Sequence, residues 1–248
     1  MSLNEVQTAE IVKRQIGYKW RAYTGVFTSL VIIQLLGVLF SLNGTGSMNS
    51  GRTGYDISIS YFTADIVIGF TIFWGFITAF LLTTKAYRED DFAFITNRKS
   101  STFSTIIYLF LLCSIASITA LLSSFLLKVV AFIFLPGEEK LLLSGAESPG
   151  VWFSGMLATL LLVFMFSSMG YLAGMIIQWN KMFVILLPIL LFGSMFLFSK
   201  GDYPIQVQFF KFIFEESSFL IFTLKTIAFS AIFYSLATLI SNHLEVRQ

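Results

Sequence analysis

Six stretches of this chain are long and apolar enough to cross hydrocarbon, and no other property limits its fold so severely. A bilayer core about 30 Å thick needs roughly 20 consecutive apolar residues in a helix. Helices qualify because they satisfy their own backbone groups where no water can. The runs are Ala22–Leu42, Tyr61–Leu82, Thr105–Leu135, Val151–Gln178, Met182–Phe198 and Phe219–Ile240. The third exceeds what a span needs, so it is expected to tilt or protrude. The fifth is short and carries Pro188, which is tolerated where neighbouring helices satisfy the freed carbonyl. Charge supply agrees, since only 12% of the 248 residues are charged, against about 25% in a soluble domain. Too little polar surface remains to coat a water-soluble globule. The expected fold class is an all-α membrane protein, a single domain of six transmembrane helices over residues 1–248.

Lys and Arg set the orientation. With both termini in the cytoplasm, Lys13, Arg14, Lys19, Arg21, Lys85, Arg88, Arg98, Lys99, Lys181 and Arg247 fall inside. Arg52, Lys140, Lys200 and Lys211 fall outside, a bias of ten to four. The first apolar run starts near Ala22, behind Glu5 and Glu10. That lead is too long and acidic for a cleavable signal peptide, so the N-terminus is read as retained. The small net charge of +2 gives no pointer to nucleic acid, and no nucleic-acid partner is expected.

The polar stretches between the runs carry the functional information. Residues 5–21, EVQTAEIVKRQIGYKWR, place Val6, Ala9, Ile16 and Trp20 at helical spacing, with Lys13, Arg14, Lys19 and Arg21 mostly elsewhere. The pattern predicts an amphipathic helix lying in the inner interface, the alternative being a frayed basic tail. Residues 85–101, KAYREDDFAFITNRKSS, set Lys85, Arg88, Glu89, Asp90, Asp91, Arg98 and Lys99 around Phe92, Phe94 and Ile95. A solvated connector explains the charges but not the apolar centre. Aromatics presented between charges suit a groove on another protein. The outer loop 43–60 is rich in Gly and Ser and reads as a flexible linker, with Asn43-Gly44-Thr45 matching a glycosylation acceptor. The stretch 201–218 is apolar but interrupted by Lys211, Glu215 and Glu216, which suits a re-entrant or interface-lying outer segment.

Asp65, Lys128 and Lys225 sit inside predicted runs, each near the outer end. Two accounts apply: snorkelling lysines with a near-surface carboxylate, or an ion pair between Asp65 and one lysine lining an outward cavity. Close helix packing is signalled by Gly170 and Gly174 in a G-x-x-x-G and by the stripe Ala116, Ala120, Ser124.

Several chemistries find no residues. One cysteine, Cys113, and one histidine, His243, cannot supply an intramolecular disulfide, a haem site or a metal set. No Walker motif occurs, and neither H-E-x-x-H nor paired intramembrane aspartates appear. The middle of every run is nearly free of ionisable groups, Gln34 being one polar exception, whereas ion-coupled carriers keep such groups near the bilayer centre. No catalytic residue and no cofactor bound by this chain is expected, and work is expected to arrive from a separate soluble partner.

The whole layout resembles the ABC-2 type permeases, the membrane subunits of a class of ATP-binding-cassette transporters, mostly exporters. The resemblance is one of architecture more than of motif. Residues 5–21 stand where that family has an interfacial helix. Residues 83–104 stand where it has the coupling helix that docks on the ATPase, with Asn97-Arg98-Lys99 resembling the basic pair after an acidic-aromatic turn. Thr96-Asn97 replaces the proline often found there. The segment 201–218 resembles the family's short helices dipping in from outside. The resemblance implies a coupling site at Arg88, Glu89, Asp90, Asp91, Phe92, Phe94, Ile95 and Arg98. It implies ABC ATPase subunits carrying ATP and Mg, a second permease subunit, identical or homologous, and residence in the cell membrane of a bacterium. The cargo expected is a hydrophobic or amphipathic peptide, antibiotic or lipid. Two other classes stay open: a six-span scaffold or sensor that docks a cytoplasmic partner, and a secondary transporter with a neutral path.

Overall fold

The computed structural model describes residues 8–42, 46–52, 55–61, 64–84, 86–87, 98–134, 148–180, 182–186, 188–189, 193, 211–212, 216 and 218–243. Among these residues, six long helices and one hairpin follow in order: α1 (Thr8–Ala22), α2 (Thr24–Ser41), β1 (Gly46–Arg52), β2 (Tyr55–Tyr61), α3 (Asp65–Leu82), α4 (Arg98–Phe134), α5 (Pro149–Trp179) and α6 (Phe219–His243). Five of these helices, α2 to α6, are long and apolar enough to cross a bilayer. The chain is a helical membrane protein with one β-hairpin.

Local chemistry explains where the elements begin. Tyr23 takes a non-helical conformation and separates α1 from α2. Asp65 opens α3, where a carboxylate complements the positive end of the helix dipole. Pro149 is the first residue of α5, and the Ser148 carbonyl accepts the first bond from the Trp152 amide at 3.1 Å. Proline suits that position, because its missing N–H would have no helical partner. At the far end of α5, the Asn180 side chain accepts a bond from the Met182 amide at 3.0 Å, starting a new helical turn over Phe183–Leu186. This is the start of the expected fifth run, Met182–Phe198, most of which lies outside the described residues. With 37 residues, α4 is about 55 Å long, well beyond the hydrocarbon thickness, as its sequence predicts.

Residues 46–52 and 55–61 overturn one expectation. They are not a linker but an antiparallel pair in the register Gly46↔Tyr61 to Arg52↔Tyr55. The reason lies in β2, where Ile57 and Ile59 alternate with Asp56, Ser58 and Ser60. That two-residue period is the signature of a strand, and the glycines of β1 mask it in the composition. Asn43-Gly44-Thr45 lies outside the described residues.

The chain divides into two compact units. One comprises Met1–Arg21, Gly75–Phe110 and Phe164–Gln248; the other comprises Ala22–Trp74 and Leu111–Val163. The second is centred on Val38, Ala64, Val67, Ala120 and Leu127. Within it, Gln34 of α2 is buried and donates to Thr71 Oγ1 of α3 at 3.3 Å and to the Ala116 carbonyl of α4 at 3.1 Å. The lone mid-span amide thus ties three helices together, as an intramembrane polar group must when no water is available. Ala116 and Ala120 are fully buried, so the small stripe does mark a packed face.

The first unit is built around an aromatic chain. Phe110 meets Phe164 edge-on at 5.4 Å, Phe164 meets Tyr234 at 5.3 Å, and Tyr234 meets Tyr171 at 5.8 Å. Here α5 and α3 touch backbone to backbone. A side-chain carbon on Gly170 would overlap the Phe76 carbonyl oxygen, and one on Gly174 would overlap the Thr83 hydroxyl. The G-x-x-x-G is therefore a contact face, and glycine is required by proximity, not by backbone torsion.

Candidate functional site

The expected docking loop falls largely beyond description: Arg88, Glu89, Asp90, Asp91, Phe92, Phe94 and Ile95 lie outside the described residues. Its two shoulders are visible. Ala86 and Tyr87 are helical on one side, and Arg98 is the first residue of α4 on the other. In the sequence this stretch leads directly into the first turns of α4.

Those first turns hold the N-terminal helix. Lys19 of α1 is 2% exposed, and its ammonium donates to Ser104 Oγ at 3.1 Å and to Thr105 Oγ1 at 2.6 Å. Both hydroxyls spend their own protons on the Ser101 carbonyl, at 2.8 and 2.9 Å. Each oxygen is then left as an acceptor, which is what an ammonium with three donors requires. Charge-assisted bonds of this kind are the stronger class. Trp20 adds an edge-to-face contact with Tyr108, 6.5 Å between centroids.

The buried side of α1 thus carries Gln15 and Lys19, while Trp20 is 39% exposed and Ala9 also faces outward. Sequence periodicity foresaw the helix but set Lys19 apart from its packing side. The structure places Lys19 at the centre of it. The Arg14–Glu10 ion pair at 2.7 Å, together with Lys13 and Arg21, occupies the exposed polar side. An outward apolar sector next to a charged one is the pattern of a helix at a membrane surface.

The three span charges have distinct surroundings. Asp65 is exposed at the first residue of α3. Lys128 lies 5.9 Å from the Phe125 ring centroid, one turn back on its own helix, within cation–π range. Lys225 takes Glu216 as its carboxylate, donates to the Phe212 carbonyl at 3.2 Å, and sits 3.7 Å over the Phe212 ring. Lys225 therefore pins the residues just before α6 back onto that helix. Of the expected outer segment 201–218, only Lys211, Phe212, Glu216 and Ser218 are among the described residues, and the first two are helical.

An open groove of about 370 Å³ runs between the start of α4 and the later half of α6, floored by Phe164. Its walls include Thr102, Phe103 and Ile106 on one side and Ile227, Ser230, Ala231 and Tyr234 on the other. Among the described residues, no charged one lines it. Sequence reasoning missed both this groove and the Lys19 contact. The only signal for the latter was Gln15 and Lys19 recurring four residues apart on one side of an otherwise basic helix.

No known family, no curated protein and no solved structure matches this chain.

Proposed function

We propose that this chain is the membrane-spanning permease subunit of an ABC-2 type transporter, moving a hydrophobic or amphipathic cargo under the drive of separate ATPase subunits. The supporting layout is an amphipathic α1 directly ahead of the first span, a charged-aromatic loop at 83–97, and an overlong α4 leading away from that loop. One observation carries the reading: Lys19 anchors α1 to Ser104 and Thr105, six and seven residues after the first residue of α4. A push on the loop would shift α4 and take α1 with it, so the three move as one lever. Phe92, Phe94 and Ile95 are the anchors proposed to enter the ATPase cleft, with Arg88, Glu89, Asp90, Asp91 and Arg98 at its rim. Both termini and this loop are placed on the cytoplasmic side, in a bacterial cell membrane. A second permease subunit completes the path, and ATP with Mg stays on the ATPases.

Purification in mild detergent tests this. The wild type should retain a soluble ATPase, and Phe92→Asp with Phe94→Asp should lose it. Each buried anchor is worth about 2 kcal/mol or more, so affinity should fall by at least roughly thirtyfold. A wild-type preparation that holds no ATPase at any detergent strength refutes the assignment.

A further inference from the structure

We propose that the groove between α4 and α6 is a binding site for a single acyl chain of a membrane amphiphile. The proposal stands on the membrane character of the helices and not on the ATPase assignment, so either can fail alone.

Three properties select that occupant. First, the groove opens away from the protein interior. Phe103 is 58% exposed and Ile227 is 51% exposed, and only 17% of the α6 span is buried within the chain. Its mouth is therefore open at the surface, where a bilayer would supply hydrocarbon. Second, three of its lining hydroxyls are already partnered. Ser230 donates to the Thr226 carbonyl at 2.8 Å, Thr238 donates to the Tyr234 carbonyl, and the Tyr234 and Ser167 hydroxyls meet at 3.5 Å. With no charge among its described lining residues and the hydroxyls of Ser230, Tyr234 and Thr238 already partnered, the groove offers little to a charged or hydrogen-bonding ligand, which would enter at a desolvation cost. Third, its size fits a chain and not a protein face. About 370 Å³ lies at the lower end of the roughly 300–1,000 Å³ of small-molecule sites. Ten described residues line it, against about 20–30 a side in a stable protein interface. Phe103, Phe164 and Ile106 provide the stiff apolar wall that distinguishes a fixed site from ordinary lipid contact.

The test is photolabelling of the full-length protein in nanodiscs with a phospholipid bearing a diazirine in one tail. Label should concentrate on peptides containing Phe103 and Ile227, at about tenfold the level on the exposed α2 residues Val31 and Ile32. Ala231→Trp, at an exposed position on the groove wall, should fill the site and reduce that label about tenfold with an unchanged melting temperature. Ser235→Phe, on the rim, provides a second plug if the first variant misfolds. Even label over α2 and α6, or full label in both plugged variants, overturns the proposal. So does a Ser235→Cys variant that forms disulfide-linked dimers in the membrane, since a second copy would then occupy the groove.

Discussion

The α5 and α6 helices are nearly equal in hydropathy, yet half of the α5 span is buried within the chain and only 17% of the α6 span. What separates them is glycine: α5 carries Gly170 and Gly174 against α3, and α6 has none. Around its C-terminal half, α5 sets Ser167, Ser168, Gly170, Ala173 and Gly174 among larger residues, all of them buried. Small groups let the α3 backbone come to contact distance. In α6 only a narrow stripe of Thr226, Ser230, Tyr234 and Ala237 is buried, while Leu220, Leu224, Ile227, Ile232 and Leu239 face outward. The more polar side of α6 is the packed one. Inside a bilayer, burying apolar surface against protein gains little over leaving it in lipid, so association follows close packing and hydrogen bonds. Apolar residues are left to the outside.

Substitutions should break this contrast unevenly. Gly170→Val meets the Phe76 main chain, which cannot rotate away. Overpacking costs about 1–3 kcal/mol, and at so rigid a contact unfolding in mixed micelles should show a loss near the upper end, about 3 kcal/mol. A stability within experimental error of wild type would remove the backbone contact between α3 and α5. Gly174→Ala meets mainly the Thr83 side chain, and should cost less, about 1–2 kcal/mol. Adding Thr83→Ala should recover most of it, and a double-mutant cycle should return a coupling of about 0.5 kcal/mol or more. Strict additivity would show that the two residues do not touch. Leu224→Ala on the outward side of α6 should change stability by no more than about 0.5 kcal/mol. A large loss there would mean that something other than lipid covers that side.

The two polar ties sharpen the same lesson. Gln34 was visible in the sequence as an anomaly, because an amide in the middle of an apolar run has to find partners. Lys19 was not visible, because a lysine beside Arg21 at the foot of a span looks like any other interfacial cation. Its hydroxyl partners are 85 and 86 residues away and each would pass as an ordinary helix residue. Lys225 shows the intermediate case. A lysine near the end of a span was legible, and its partnership with Glu216 and Phe212 depended on the chain folding back before α6. The hairpin failed for another reason: its strand period was present in residues 55–61, but a composition rich in Gly and Ser hid it.

The sequence alone determined that this chain belongs in a bilayer, roughly where five helices run, that an amphipathic helix precedes them, and that the charged-aromatic stretch interrupts them. Hydropathy is summed along a contiguous segment, so those properties can be read one window at a time. Only the tertiary structure decided which sides of those helices meet, that a lysine is buried on two hydroxyls, and that a groove opens beside α6. Those outcomes depend on side-chain volume and hydrogen-bond partners contributed by distant segments, and no single window contains both halves of such a contact.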